Sequence, residues 1–196
     1  EKGETHYTAN GGLVELRKEI CNYNERKFGV KYDYKNEVLV TVGGSEAIDA
    51  MIRCVVRPGE EVLIPEPSFV CYKPLTVMAG GVPVPIETKE ENNFRLLPEE
   101  LKEKITDKTK LLILPYPNNP TGGVMSREDL EAIAEVLRDT NILVLSDEIY
   151  AELRYGEEKH TVFSAIDGMK ERTIVVNGFS KAFARGGGRL GYALGP

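Results

Sequence analysis

Apolar residues along this chain recur at two spacings, one typical of helices and one typical of short buried strands. Leu16 and Ile20 share one face of a helix predicted over 13–28. The same reasoning predicts helices at 46–56, 70–78, 98–105 and 127–138. Ser45 and Ser126 precede two of them as N-terminal caps, because a serine side chain accepts hydrogen bonds from the free amides of a first turn.

Short continuous apolar runs indicate the strands. They lie at 38–42, 61–64, 82–86, 111–114, 142–145, 173–177 and 189–194. Prolines alternate with the apolar residues of 82–86, which is typical of an edge strand. Strands that alternate with helices predict an α/β fold, a three-layer α-β-α sandwich with a mostly parallel sheet. Such sheets bind ligands beyond the carboxyl ends of their strands, so the residues that follow each strand are the candidates for chemistry.

Composition narrows the class of protein. The chain has 196 residues, 41% of them hydrophobic and 29% charged, as expected of one soluble α/β domain. Its net charge of -6 argues against nucleic acid as a partner, because a polyanion binds to basic surfaces. No apolar run is long enough to span a bilayer and the N-terminus does not resemble a signal peptide, so we expect no membrane partner.

The three cysteines and two histidines leave little material for a zinc site or a Ser-His-Asp triad, so we expect no metal. Cys21, Cys54 and Cys71 are odd in number and lack the spacing of metal ligands. We predict that they are reduced, mostly buried thiols in a cytoplasmic protein.

Two polar turns follow predicted strands. Gly43, Gly44 and Ser45 lie at a strand-to-helix junction, where free amides and the helix dipole favour a phosphate. An ordinary glycine turn with a serine cap is the alternative. The segment 118–122 follows another strand, and the amides of its two asparagines can donate to a ligand oxygen. A turn without a chemical role is the alternative there.

A carboxylate and an amine follow two further strands. Asp147 ends a buried strand and needs a cationic or protonated partner such as a ring nitrogen, unless it caps the following turn. Lys181 follows the strand at 173–177, with Ser180 before it and Arg189 eight residues later. Desolvation and nearby cations lower the pKa of such an amine, which makes it a nucleophile towards carbonyl groups. A surface lysine in a loop is the alternative.

These four sites together match one ligand. Pyridoxal 5'-phosphate is bound by such a set: a phosphate cradle, an amide donor, a carboxylate for the ring nitrogen and an amine for the aldehyde. The sequence resembles the class I/II aminotransferases, pyridoxal-phosphate-dependent enzymes of fold type I. The matching stretches are Tyr7 with GLVELR at 12–17, GGSEA at 43–47, NNPTG at 118–122, SDEIY at 146–150, NGFSKAFA at 177–184 and RLGY at 189–192.

The resemblance implies a role for each candidate residue. Lys181 would hold the cofactor as a Schiff base and shuttle the substrate's α-proton, and Asp147 would keep the pyridine nitrogen protonated. Tyr150 and Asn119 would bind the 3-oxygen of the ring. Phe69 would stack on the ring, with core packing as its alternative. The residues that would hold the phosphate are Gly44, Ser45, Ser180 and Arg189.

The resemblance also implies an assembly and a domain organisation. Tyr7 matches a tyrosine that reaches the phosphate of the neighbouring subunit, which implies a homodimer with shared active sites. Residues 1–30 would form a lead-in with its helix, and 31–196 would form the cofactor-binding large domain. The family continues into a small domain with an arginine for the substrate carboxylate, and we expect this small domain to be absent. The RGGG at 185–188 replaces the family's Met-Thr-Gly-Trp and predicts a looser loop.

These features predict an aminotransferase that moves an amino group between an amino acid and a 2-oxo acid. A carbon–sulfur β-lyase of the same fold is one alternative, because it uses the same lysine and aspartate. A truncated cofactor-binding scaffold is the other alternative, and it would bind the cofactor without transamination.

Overall fold

In a computed structural model the chain forms a seven-stranded sheet with helices on both faces. The structure describes residue 3 and residues 6–155 and 159–196. The strands are β1 (Val38–Thr41), β2 (Glu61–Glu66), β3 (Val82–Glu87), β4 (Thr109–Leu114), β5 (Leu143–Asp147), β6 (Thr173–Gly178) and β7 (Gly191–Leu194). The helices are α1 (Val14–Phe28), α2 (Gly44–Val55), α3 (Tyr72–Met78), α4 (Pro98–Lys104) and α5 (Arg127–Leu137).

The order of the strands is β1-β7-β6-β5-β4-β2-β3. Pairing is parallel from β3 through to β6, whereas β7 is antiparallel to both of its neighbours. Six strands therefore point the same way, and their carboxyl ends lie along one edge of the sheet. This arrangement confirms the predicted α/β fold with a mostly parallel sheet, and β3 with its prolines is an edge strand as predicted.

Apolar clusters cover both faces of the sheet. Ile113 of β4 belongs to the cluster under α2 and α3, which includes Ile52. The preceding residue, Leu112, belongs to the cluster under α4 and α5, which includes Ile133. Successive side chains of a strand point to opposite faces, so the two clusters form the two interfaces of a three-layer sandwich. Ile20 of α1 joins a third cluster with buried residues of β1, β6 and β7.

The two predicted helix caps have different outcomes. Ser126 accepts a hydrogen bond from the amide of Asp129 at 3.1 Å and caps α5 as predicted. The prediction that Ser45 is a cap was wrong, because α2 begins at Gly44 and Ser45 lies within its first turn. Gly43 occupies the cap position with φ 86°, a left-handed conformation that glycine adopts without steric cost. None of the helices in the described ranges is long and apolar enough to cross a membrane.

Two further sequence-based predictions need correction. The last strand was predicted from residue 189, but β7 begins at Gly191 because Arg189 has φ 46°, which is incompatible with a strand. The cysteines were predicted to be mostly buried, yet Cys54 is exposed and Cys21 and Cys71 are half-buried. All three thiols are free.

Candidate active site

A cavity of about 270 Å³ lies at the edge of the sheet where the parallel strands end. Its lining comes from the segments that follow β1, β2, β4, β5 and β6, which the topology brings to one edge. The predicted site residues that line this cavity are Lys181, Asp147, Tyr150, Gly44, Ser45, Phe69, Asn119, Ser180 and Arg189. Tyr7 is the predicted residue outside it, and the side chain of Tyr7 is fully exposed.

The junction of β1 and α2 forms a corner that suits an anion. Because α2 begins at Gly44, the free amides of its first turn and the positive end of its dipole lie beside the cavity. The Arg189 guanidinium packs against Gly43, where a Cβ atom would lie 2.2 Å from Nη2. A Cβ at Gly191 would lie 2.4 Å from the Gly43 carbonyl carbon. The absence of both side chains therefore allows the arginine to approach the helix N-terminus.

Arg189 contributes a positive charge to the same corner. Its Nη1 donates to the Gly186 carbonyl at 3.1 Å, and its side chain is otherwise exposed. A guanidinium has five N–H donors, so most of them remain for an anion. The glycines of the 185–188 departure are not required sterically, since a Cβ at Gly186 or Gly187 would meet nothing within 4 Å.

Asp147 is the buried charge of the site. Its Oδ2 accepts from the Tyr72 hydroxyl at 2.8 Å, and its Oδ1 accepts from the Ile149 amide at 3.2 Å. Burial raises the pKa of this carboxyl to about 6, the charge of Glu148 adds to the rise, and the two hydrogen bonds oppose it. The residue therefore both holds the following turn and faces the cavity. The described residues form no salt bridge with it, so a protonated ring nitrogen would supply the missing positive charge.

Lys181 lines the cavity from the loop between β6 and β7. Its Nζ lies 5.6 Å from the centre of the Tyr150 ring. The predicted desolvation of its amine was wrong, because the side chain is exposed in this chain. Lys181 shares this exposure with residues 183–189 of the same loop. The Phe179 amide closes the base of the loop by donating to the Leu190 carbonyl at 3.0 Å.

The two asparagines of the 118–122 turn have different environments. The Asn118 side chain accepts from the hydroxyl of Thr121 at 3.0 Å and from its amide at 3.3 Å, so it stabilises the turn. Asn119 lines the cavity. The alternative of a purely structural turn thus describes Asn118, whereas Asn119 contributes to the wall of the cavity.

Phe69 combines the two roles that the sequence left open. It is half-buried and packs against the apolar cluster under α3, and it also lines the cavity. Its ring meets that of Tyr72 edge-on, with the ring centroids 6.0 Å apart. Sequence reasoning missed Tyr72, which also lines the cavity. Its contact with Asp147 spans 75 residues and leaves no signal in the local pattern.

Comparison with known proteins identifies the family. The family model described as aminotransferase class I and II matches residues 1–196. This chain belongs to that family. It is 50% identical over 196 residues to the putative aminotransferase YugH of Bacillus subtilis and 45% identical to an aspartate aminotransferase of Pyrococcus abyssi. The matches include 100% of this chain and 50% of each relative, so the chain spans about half the length of the curated relatives it matches.

Solved aminotransferase structures have the same fold. An aromatic aminotransferase from Pyrococcus horikoshii OT3 superposes with a TM-score of 0.97 at 46% identity, over 100% of this chain and 52% of that one. Aspartate aminotransferase from Thermus thermophilus with maleate gives 0.95 at 39% identity, over 100% and 50% of the two chains. These similarities confirm the predicted resemblance to fold type I aminotransferases, and these relatives and structures are named as aminotransferases rather than carbon–sulfur β-lyases.

Proposed function

We propose that this chain is the pyridoxal 5'-phosphate-binding domain of a cytoplasmic aminotransferase that moves an amino group between an amino acid and a 2-oxo acid. The supporting observation is the convergence of five sequence segments, each after a parallel strand, on one cavity. When bound, pyridoxal phosphate supplies an electron sink for the substrate's α-carbon. The boundary at residue 30 between a lead-in and this domain stays a prediction.

The anion-binding corner fits the phosphate of this cofactor. The N-terminal turn of α2 at Gly44 and Ser45 offers backbone amides, Ser180 offers a hydroxyl, and Arg189 offers a charge-assisted donor. The cradle depends on Gly43, because a larger residue would occupy the place of the Arg189 guanidinium.

The wall formed by β5 and its neighbours fits the pyridine ring. Asp147 is a buried carboxylate that gains a positive partner if the ring nitrogen is protonated. Asn119 and Tyr150 line the same cavity and would hydrogen-bond the 3-oxygen, and Phe69 would stack its aromatic ring on the pyridine ring. The cavity volume of about 270 Å³ accommodates a single-ring ligand with its phosphate.

Lys181 is the residue that would attach the cofactor's aldehyde as a Schiff base. It lines the cavity together with Asp147 and is the lysine among the lining residues. A primary amine at this place can also take and return the proton of the substrate's α-carbon. Its exposure in this chain gives an incoming aldehyde access to the amine.

A reductive labelling experiment tests this assignment. The purified chain is mixed with pyridoxal phosphate, reduced with borohydride, digested and analysed by mass spectrometry. We expect one dominant adduct, on Lys181, and a visible absorbance band before reduction. Lys181→Ala should lose both signals, while Lys102→Ala, at an exposed position on α4 outside the cavity, should retain them.

Two outcomes would contradict the proposal. Labelling spread evenly over surface lysines would show that the cavity does not direct the reaction. Retention of the absorbance band in Lys181→Ala would assign the attachment to another residue. If labelling is correct but the absorbance does not change on addition of amino acids and 2-oxo acids, the truncated-scaffold alternative replaces the aminotransferase.

A homodimer is part of the proposal and concerns Tyr7. The fully exposed Tyr7 does not line the cavity of its own chain, as expected of a side chain that serves the neighbouring subunit's phosphate site. Sedimentation should show a dimer in the presence of pyridoxal phosphate, and Tyr7→Phe should weaken cofactor binding. A monomer that binds the cofactor with unchanged affinity in Tyr7→Phe would contradict this part.

A further inference from the structure

Tyr72 and Asp147 form a buried hydrogen bond in the wall of the cavity. The Tyr72 hydroxyl, from the first residue of α3, donates to Oδ2 of Asp147 at the end of β5, and the distance is 2.8 Å. Tyr72 is 2% exposed and Asp147 is 6% exposed, and both residues line the cavity. None of the roles assigned above uses the Tyr72 hydroxyl.

The ring of Tyr72 has a structural role that phenylalanine could fill. It belongs to the apolar cluster under α2 and α3 and meets the ring of Phe69 edge-on. The Tyr72 hydroxyl is not needed for this packing, and burying a polar group costs free energy unless the group is hydrogen-bonded. Its acceptor here is the one carboxylate that the proposed function assigns to the cofactor ring.

We propose that Tyr72 is a positioning residue whose hydroxyl holds the Asp147 carboxylate ionised and in one orientation for a protonated pyridine nitrogen. This inference rests on the proposed function and extends it to a residue that does not itself touch the reacting atoms. A tyrosine suits the task because it cannot easily lose its own proton here. Burial and the neighbouring Asp147 raise the pKa of the Tyr72 hydroxyl well above its ordinary value.

The surroundings of Asp147 explain why such a donor matters. Burial and Glu148 both favour the protonated carboxyl, whereas the Tyr72 hydroxyl and the Ile149 amide favour the carboxylate. The described titratable or charged groups around the Asp147 carboxyl come from three segments. They are Cys71 and Tyr72 at the start of α3, Glu148 and Tyr150 in the turn after β5, and Lys181 and Arg189 in the loop after β6. Of these, Tyr72 is the group that donates a hydrogen bond to the carboxylate.

A titration of the cofactor-free protein tests the coupling directly. Carbon-13 NMR of the Asp147 carboxyl gives its titration midpoint in the wild-type chain, in Tyr72→Phe and in the matched control Tyr32→Phe. Tyr32 is also buried, but its hydroxyl donates to the Ser164 hydroxyl at 2.9 Å, away from the cavity. We expect the Asp147 midpoint to rise by about one to two pH units in Tyr72→Phe, the size expected for a lost hydrogen bond to a charged group, and to stay unchanged in Tyr32→Phe.

Cofactor binding supplies the second readout. The dissociation constant for pyridoxal phosphate should rise about ten- to hundredfold in Tyr72→Phe at pH 7.5. The 1-deaza analogue, in which carbon replaces the ring nitrogen, should bind the variant and the wild-type chain within about threefold of each other. A merely structural role of Tyr72 would weaken both ligands equally.

The outcomes separate this inference from the proposed function. An unchanged Asp147 midpoint in Tyr72→Phe, or equal losses for the two ligands, overturns the inference. Failure of the wild-type chain to bind pyridoxal phosphate overturns the proposed function, and the three NMR titrations of the cofactor-free proteins then still decide whether Tyr72 controls Asp147. If Tyr72→Phe does not fold, the wild-type Tyr72 Cζ resonance decides: it should follow the Asp147 midpoint, whereas that of Tyr32 should not.

Discussion

The most informative perturbation is Asp147→Asn, because it should stabilise the protein while damaging its site. Burial raises the pKa of the Asp147 carboxyl from 3.8 to about 6. That difference corresponds to about 3 kcal/mol of folding free energy lost when the carboxyl is ionised in the folded protein, since one pKa unit is about 1.4 kcal/mol. The side chain is buried, so solvent screening does little to reduce this value.

The sign of the effect follows from proton linkage. Between about pH 4 and pH 6 the folded chain binds more protons at Asp147 than the unfolded chain does. The free energy of unfolding therefore falls as the pH rises through this window, and the contribution of the protonated carboxyl is lost above it. Asparagine cannot ionise, so the variant lacks this fall.

The expected gain is smaller than the full 3 kcal/mol. The Oδ1 of asparagine can accept from the Ile149 amide, as Oδ1 of Asp147 does. Its Nδ2, however, replaces the Asp147 Oδ2 that accepts from the Tyr72 hydroxyl in the wild-type chain. One mismatched buried hydrogen bond costs about 1 kcal/mol. At pH 7 and without cofactor, Asp147→Asn should be more stable than the wild-type chain by about 2 kcal/mol.

Urea unfolding at a series of pH values is the assay. The difference between the wild-type chain and Asp147→Asn should grow from pH 4 to pH 7, while pyridoxal phosphate should bind the variant much more weakly. Asp107→Asn, at an exposed position, is the control and should stay within about 0.5 kcal/mol of wild type at every pH. A difference that does not depend on pH would refute the assignment of a raised pKa to Asp147.

Three further substitutions test single features of the fold. Gly43→Ala should weaken binding of pyridoxal phosphate and inorganic phosphate at least tenfold in a binding titration, because the new Cβ displaces the Arg189 guanidinium. Gly29→Ala is the control and should keep the affinity. Gly29 also has a positive φ, but a Cβ there has no atom within 4 Å. Gly187→Ala should raise the free energy of unfolding by about 0.4–1 kcal/mol, since its Cβ enters open space and the unfolded chain loses freedom. Ser126→Ala should lower it by about 1 kcal/mol through the lost cap, and an unchanged urea midpoint would contradict that role.

Much of the fold followed from the order of apolar runs. Each predicted helix and strand exists close to its predicted position, because short buried strands and amphipathic helices are encoded by local patterns. The errors lie where backbone geometry depends on distant contacts. Gly43 rather than Ser45 caps α2, and the distant Arg189 packs so closely against Gly43 that it leaves no room for a side chain there.

The candidate site, like the fold, was predicted in part from the sequence and decided in part by the tertiary structure. The sequence alone determined that four kinds of polar group follow parallel strands, and the topology of such sheets brings those groups to one edge. The tertiary structure decided how each group is held: Lys181 is exposed rather than desolvated, and Asp147 is buried with a tyrosine donor 75 residues away. Solvation and hydrogen-bond partners depend on residues that meet only after folding, so no local pattern encodes them.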